Sequence, residues 1–403
     1  MLPKLALAAL LNLSMWTGGH AAEQAPAAGS AAAPTESLSK DEAAARLQDA
    51  WAALQKEQAE ARKAELEAKS ITLRGKTMRW LERTEGEKPA EGYNLWISMH
   101  GGGNAPPELN DSQWHNQIRL YHADGIWVAP RAPTNTWNLW HEAHIDPLFD
   151  RLIEDYVMLA GVNPNRVYLL GYSAGGDGVY QLAPRMADRF AAASMMSGHP
   201  NEASPLGLRN LPFAIFAGGE DAAYNRNKIA RQWGERLDAL QKDDPDAYVH
   251  WTQVYEGLGH WMNGRDAEAL PWMIKFTRNP WPKTVVWRQD DVTHDRFYWL
   301  AVPGGTAKNG QTIKAAVEGQ TIRITAEGRD RLILRLSDKL LDLDQPITVL
   351  VGDKEVFKGK VARTAEAITT SLKQRADVES AATATLPLEW NAPERSEGDP
   401  AVK

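Results

Sequence analysis

The stretch that decides the fold is Val167-Tyr168-Leu169-Leu170-Gly171-Tyr172-Ser173-Ala174-Gly175-Gly176. Its first four residues form a short apolar run typical of a strand, and the following Val179-Tyr180-Gln181-Leu182-Ala183 can continue as a helix. A serine flanked by glycines at such a strand-to-helix turn is a nucleophile elbow, because a Cβ at the glycine positions would collide with neighbouring backbone. The turn places the serine hydroxyl at a helix N-terminus, where the helix dipole favours negative charge. Ser173 is therefore the candidate nucleophile, although this motif alone is weak because its residue types are common.

A second glycine-rich motif follows a predicted strand further upstream. Leu95-Trp96-Ile97-Ser98-Met99 is typical of a buried strand and leads directly into His100-Gly101-Gly102-Gly103. A glycine amide can approach a substrate oxygen without a side chain in the way, and one well-placed donor lowers the barrier by about 3 kcal/mol. We predict that Gly102 or Gly103, together with Ala174, donates to an oxyanion. The alternative is an ordinary flexible glycine turn.

Two later strands end in residues suited to acid–base chemistry. Residues 211–217 form an apolar run that ends in Gly218-Gly219-Glu220-Asp221, and residues 249–255 alternate like a strand and lead to Gly257-Leu258-Gly259-His260-Trp261. Asp221 is the candidate acid, with the adjacent Glu220 as its competitor. A lone histidine is more often a surface or core residue. The place of His260 in an ordered set with an elbow and a carboxylate favours a catalytic base.

The motifs HGGG, GYSAGG, GGED and GLGHW together resemble the α/β-hydrolase superfamily. Within it they look like the secreted esterases related to poly(3-hydroxybutyrate) depolymerases and to feruloyl or acetyl-xylan esterases. The resemblance covers roughly residues 75–282, about half of the chain. It implies that Ser173, Asp221 and His260, in that chain order, form a triad that cleaves carboxylic esters through an acyl-enzyme, with no metal or organic cofactor. The chain departs from several such enzymes by having no cysteine, and its C-terminal extension matches no named substrate-binding module.

Two other functions compete with the leading interpretation, a serine esterase acting on a small-molecule or polymeric ester. A serine peptidase of prolyl oligopeptidase-like type uses a similar elbow, but such enzymes usually carry a β-propeller before the catalytic domain. The residues before Gly75 are too few for a propeller. A non-catalytic protein that binds a glycan or polymer would need neither the triad residues nor the HGGG loop.

The N-terminus has the composition of a secretory signal peptide. Lys4 precedes an apolar stretch of about a dozen residues, too short to span a bilayer, and then Gly19-His20-Ala21, so we expect cleavage after Ala21. Because the chain has no cysteine for a lipid anchor, we expect a secreted or periplasmic protein of bacterial type without a membrane anchor. The net charge of −7, with both signs interspersed, argues against nucleic acid as a partner. The oligomeric state is left open.

Composition shifts predict the domain organisation. The fold class is α/β, a doubly wound and mostly parallel sheet followed by a small C-terminal β-rich domain. A charged helix that starts at the N-cap Ser39 is expected to be largely solvated. The predicted segments are a signal peptide at 1–21, a disordered linker at 22–38, the charged helix at 39–70, the α/β-hydrolase catalytic domain at 71–282, the β-rich domain at 283–390 and a disordered tail at 391–403.

Several further side chains are candidates for binding. Trp137, Trp140 and Trp261 are candidate substrate-binding residues, and the alternative is that they pack loops against the domain. His141-Glu142-Ala143-His144 resembles a zincin motif, but its histidines stand at i and i+3 instead of i and i+4, so no metal is expected. Asp177 is interpreted as a solvated or helix-dipole carboxylate, and the alternative is a hydrogen bond to the glycine loop. Residues 290–295 are oxygen-rich and are interpreted as a polar connection, since they lack the ligand spacing of an EF-hand.

Overall fold

The computed structural model describes residues 36–390. The predicted signal peptide, nearly all of the predicted linker and the predicted tail lie outside the described residues. Within residues 36–390, none of the helices has both the length and the apolar character needed to cross a bilayer.

An eight-stranded sheet carries the motifs, in the order β1-β2-β4-β3-β5-β6-β7-β8. Its strands are β1 Ser70–Leu73, β2 Lys76–Glu85, β3 Tyr93–Met99, β4 Gly125–Arg131, β5 Val162–Tyr172, β6 Ala192–Met196, β7 Phe213–Gly218 and β8 His250–Tyr255. The pairings of β1 with β2 and of β2 with β4 are antiparallel, and the strands from β4 to β8 run parallel. This order and direction are those of the α/β-hydrolase fold, so the predicted fold class is confirmed.

Helices cover both faces of this sheet, so its central strands are buried on both sides. The helices are α1 Lys40–Ala68, α2 Pro107–Gln117, α3 Ile145–Asp155, α4 Ala174–Arg185, α5 Arg226–Asp243, α6 Ala269–Met273 and α7 Ala365–Gln374. Along β3, Leu95 and Ile97 face one core with α3, α4 and α5, whereas Trp96 faces a second core with α2 and α6. Trp96 stacks on Trp127 at 5.1 Å between ring centroids.

Helix α1 is more firmly packed than its sequence indicates. Ser39 is the N-cap, as predicted, and it forms a capping box with Glu42. Most residues of α1 are exposed, as expected for a largely solvated helix, but Leu54 packs in a small core with residues of α7 and Arg62 is buried. The Arg62 guanidinium lies 2.8 Å from Glu154 Oε2 and 2.8 Å from Asp155 Oδ1, so α1 is tied to the end of α3.

The C-terminal part forms two smaller sheets, and α7 packs against β17 of the four-stranded one. The five-stranded sheet has the order β16-β15-β13-β12-β9, and the four-stranded sheet has the order β10-β11-β14-β17. Their strands are β9 Thr284–Arg288, β10 Arg296–Phe297, β11 Leu300–Ala301, β12 Thr312–Glu318, β13 Thr321–Ala326, β14 Arg331–Leu336, β15 Ile347–Val351, β16 Lys354–Gly359 and β17 Ala384–Glu389. One apolar core runs on from the large sheet into these strands. The side chain of Tyr298 contributes to the contact by donating to the Ala187 carbonyl at 3.1 Å.

Candidate active site

Ser173 stands at the sharp turn between β5 and α4. Its backbone has φ 58° and ψ −120°, a conformation that L-residues rarely adopt. The turn is held by the Ser173 amide, which donates to the Met196 carbonyl of β6 at 2.9 Å. A Cβ on Gly175 would lie within 3 Å of the Met99 carbonyl oxygen, and one on Gly176 would lie 2.6 Å from the Met196 oxygen. The glycines are therefore required for the close approach of α4 to β3 and β6.

His260 and Asp221 meet Ser173 at the carboxyl ends of the parallel strands. His260 Nε2 lies 2.9 Å from Ser173 Oγ, and His260 Nδ1 lies 2.7 Å from Asp221 Oδ2. Asp221 follows β7 and is 4% exposed, whereas the competing Glu220 is exposed. The structure thus brings together Ser173, His260 and Asp221, and it leaves the alternative acid Glu220 exposed. A donor–acceptor chain of this kind can transfer a proton from the serine hydroxyl to the imidazole.

The loop that carries His260 is fixed by groups that the sequence did not single out. The His260 carbonyl accepts a hydrogen bond from Ser197 Oγ at 2.8 Å and another from Tyr172 Oη at 3.2 Å. Asp221 is oriented from its other side, because Arg226 Nη1 lies 3.6 Å from Asp221 Oδ1. Tyr172 ends β5, Ser197 follows β6 and Arg226 begins α5, so their roles are recognisable only from these contacts.

The predicted oxyanion donors differ in whether their amides are free. The Gly103 amide donates to Asn110 Oδ1 at 2.9 Å, so it is occupied. The Gly102 amide has no hydrogen-bond acceptor among residues 36–390. Ala174 is the first residue of α4, where an amide has no acceptor within the helix. Of the two alternatives, Gly102 is therefore the donor that remains available together with Ala174.

The three candidate tryptophans fall into two groups. Trp137 is 60% exposed and its backbone lies beside Gly103, and Trp261 is 46% exposed and packs edge-on against Tyr172 at 5.4 Å. Trp140 is fully buried, and its indole nitrogen donates to the His100 carbonyl at 3.0 Å. The expectation that Trp140 binds substrate is therefore wrong, because its ring fills the core beneath the loop.

Asp177 is more engaged than the sequence indicates. Its Oδ1 accepts a hydrogen bond from the His199 amide at 2.6 Å, and this contact ties α4 to the loop after β6. Burial raises the pKa of Asp177 to about 6. Asp177 is therefore not a solvated carboxylate, whereas its place in the first turn of α4 agrees with the helix-dipole alternative.

The two segments considered as metal sites have other contacts. His141 is buried with its ring edge-on to Trp137 at 5.5 Å, and burial lowers the pKa of His141 to about 4. In the second segment, carboxylate oxygens of Asp290, Asp291 and Glu202 lie within 4.8 Å of one another. Arg185 Nη1, 3.8 Å from Asp291 Oδ1, supplies positive charge to this acidic cluster.

The similarity of this chain to known proteins is found in three-dimensional structure. No protein-family model matches the chain, and no curated protein matches it. Among solved structures it is similar to a thermostable esterase, with a TM-score of 0.42 and 16% identity over 52% of this chain and 62% of that chain. It is also similar to LpqC, a poly(3-hydroxybutyrate) depolymerase from Bordetella parapertussis, with a TM-score of 0.36 and 19% identity over 48% of this chain and 81% of that chain. A mutant of the feruloyl esterase module from Clostridium thermocellum has a TM-score of 0.36 and 15% identity, over 51% of this chain and 86% of that chain. The predicted resemblance to esterases of these kinds is thus found over about half of the chain.

Proposed function

We propose that this protein is a secreted serine hydrolase that cleaves carboxylic esters through an acyl-enzyme intermediate. The observation that carries the proposal is the hydrogen-bonded series of Ser173 Oγ, His260 and Asp221, with separations of 2.9 and 2.7 Å. A nucleophile, a base and a carboxylate that orients the base are the parts that acyl transfer requires.

The chemistry follows from the position of each group. His260 Nε2 accepts the proton of Ser173 as Oγ attacks the substrate carbonyl, and Asp221 stabilises the resulting imidazolium through Nδ1. The tetrahedral oxyanion accepts hydrogen bonds from the amides of Gly102 and Ala174. His260 then donates the proton to the leaving alcohol and activates a water molecule, which releases the acid from Ser173.

The surroundings of the serine favour an ester that extends beyond the catalytic residues. The His260 side chain is 36% exposed, so the reacting groups lie at an open surface. The exposed rings of Trp137 and Trp261 are two apolar surfaces against which the acyl or alcohol part of such an ester can stack.

The test compares the purified wild-type chain with Ser173→Ala on a short-chain aryl ester and, in parallel, on a peptide anilide. We expect ester turnover in the wild type, and a loss of about a million-fold in kcat in the variant, as when the nucleophile of a triad is removed. Ser112→Ala, at an exposed serine of α2, is the matched control and should keep wild-type turnover. Turnover of the anilide alone would replace the esterase with a peptidase, and no turnover of either would favour the binding protein.

A further inference from the structure

A cavity of about 640 Å³ lies between the four-stranded sheet and α7. Ser173, Asp221 and His260 do not line it. Its walls include the apolar side chains of Val302, Ile333 and Pro387 and the guanidinium-bearing side chains of Arg296, Arg335 and Arg375. Cavities of this size that combine apolar walls with a few charged groups commonly hold small organic ligands.

The arginines around this cavity differ in whether a carboxylate neutralises them. Three of them form ion pairs, namely Arg189 with Asp150, Arg278 with Asp377 and Arg375 with Asp188. Arg296 and Arg335 form no ion pair with any residue in the range 36–390. Two cationic side chains therefore line the cavity without a carboxylate partner.

The hydrogen bonds of Arg296 leave donors unused, and those of Arg335 go to uncharged acceptors. Arg296 Nη2 donates to Ser380 Oγ at 3.0 Å, whereas Arg296 Nε and Nη1 are buried without an acceptor. Arg335 donates to the Tyr298 carbonyl at 2.9 Å and to Ser371 Oγ at 2.5 Å, both of which are uncharged. A buried charge without an opposite charge raises the free energy of the folded state.

The pKa shifts of Arg296 and Arg335 agree with a shortage of negative charge around them. Burial, with the neighbouring cations Arg335 and Arg375, lowers the pKa of Arg296 well below its ordinary range, and the carboxylates of Asp188 and Asp377 offset this shift only in part. Burial, again with Arg375 beside it, lowers the pKa of Arg335 to about 9. Neither of the cavity's own acidic residues relieves this shortage. Asp150 is paired with Arg189 at 2.8 Å, and Asp295 is an exposed residue that accepts from the Gly305 amide at 3.3 Å.

We propose that this cavity binds a small organic anion, a carboxylate attached to an apolar body. The carboxylate neutralises Arg296 and Arg335, because a guanidinium presents N–H groups that match two carboxylate oxygens. The apolar body packs against Val302, Ile333 and Pro387. The apolar walls favour an organic acid over a compact inorganic anion. This inference does not depend on the proposed esterase activity.

The test measures binding by titration calorimetry on the full-length protein, with benzoate as the probe. Benzamide is the uncharged probe of the same shape, and inorganic phosphate is the compact anion. We expect benzoate to bind at one saturable site, and benzamide and phosphate each to bind about ten-fold more weakly or not at all, since a charge-assisted pair and apolar burial each contribute about one decade. Equal affinity for benzamide, tighter binding of phosphate or no saturable benzoate binding would overturn the proposal.

Two threonines locate the bound probe in the cavity. Thr385 is exposed on β17 and lines the cavity, so Thr385→Trp fills its mouth without changing the buried arginines. Thr325 is exposed on β13 and does not line the cavity, so Thr325→Trp is the matched control. We expect the first variant to lose benzoate binding about ten-fold or more, and the second to keep it. Benzoate held at Ser173 instead would be unaffected by Thr385→Trp, and this result would overturn the proposal.

Arg296→Met distinguishes a ligand-binding arginine from a structural one. If Arg296 binds the anion, Arg296→Met abolishes benzoate binding. The unfolding temperature of the ligand-free protein then stays the same or rises, because an uncompensated charge has been removed. A lower unfolding temperature with unchanged benzoate affinity would show a structural role and overturn the proposal.

Discussion

The substitution Asp221→Asn tests which carboxylate orients the imidazole. In the wild type, Asp221 Oδ2 accepts the Nδ1 proton of His260 at 2.7 Å, so Nε2 has a free lone pair toward Ser173. Arg226 Nη1 faces the other oxygen, Oδ1, at 3.6 Å. In the variant, Arg226 holds the carboxamide oxygen, and the amide NH₂ faces His260 Nδ1.

The expected loss of kcat in Asp221→Asn follows from this reversal of the hydrogen bond to His260. The carboxamide donates to Nδ1, so the imidazole carries its proton on Nε2, and Nε2 can no longer accept the proton of Ser173. The loss of the correct tautomer in a serine triad lowers kcat about 10⁴-fold. This corresponds to about 5 kcal/mol of barrier at 1.36 kcal/mol per decade. We expect little change in KM, because Asp221 is buried and does not contact substrate.

The assay is steady-state hydrolysis of a short-chain aryl ester, with Glu220→Gln as the matched control at the neighbouring exposed position. We expect the control to stay within about two-fold of wild type, as for a surface substitution. A decrease of less than about ten-fold for Asp221→Asn, or a larger decrease for Glu220→Gln, would refute this assignment of the acid.

Three further predictions concern stability and export. Gly175→Ala adds a methyl group within 3 Å of the Met99 carbonyl oxygen, and we expect it to lower the free energy of unfolding by about 3 kcal/mol in denaturant titrations. Gly304→Ala, whose methyl would meet nothing closer than 3.8 Å, is its control, and an equal loss in both would contradict the argument. Burial lowers the pKa of His100 from 6.5 to about 4, so the unfolded state binds more protons between these values and stability is lost as the pH falls through this window. His100 alone accounts for a loss of about 3 kcal/mol in the free energy of unfolding. Denaturation of His100→Asn at each pH tests this, and a pH dependence equal to that of the wild type would contradict it. For export, we predict that N-terminal sequencing of protein from the periplasm or medium starts at residue 22, and an uncleaved N-terminus would contradict the signal peptide.

Most strands of the large sheet, and the meeting of Ser173, His260 and Asp221, were predictable because their signals are local. A strand-to-helix turn with glycine at the positions flanking Ser173 needs only neighbouring residues to be recognised. The strands Thr284–Arg288, Thr312–Glu318 and Arg331–Leu336 also carry local signals, because each is a short segment rich in apolar residues.

Two strands lack such local signals and are absent from the predictions. The strand Ala192–Met196 was missed because its Ala-Ala-Ser-Met-Met sequence has neither alternation nor β-branched residues, and only its burial between β5 and β7 makes it a strand. The strand Lys354–Gly359 was missed because it is short, charged and lies at the edge of its sheet.

Contacts between distant segments account for the remaining misses. Arg62 was assigned to a solvated helix because its partners, Glu154 and Asp155, come 92 and 93 residues later in the chain. The amide of Gly103 is occupied by Asn110, and no feature of the HGGG motif indicates this. The burial of Trp140 depends in the same way on how its loop packs.

The most direct test of acyl transfer through Ser173 is to trap the acyl-enzyme. The wild-type chain is mixed with an aryl ester whose acyl group is hydrolysed slowly, quenched in acid, digested and mapped by mass spectrometry. We expect one added acyl group, on the peptide that contains Ser173, and none in Ser173→Ala. Turnover without any acylated peptide, or acylation of another residue that persists in Ser173→Ala, would contradict it.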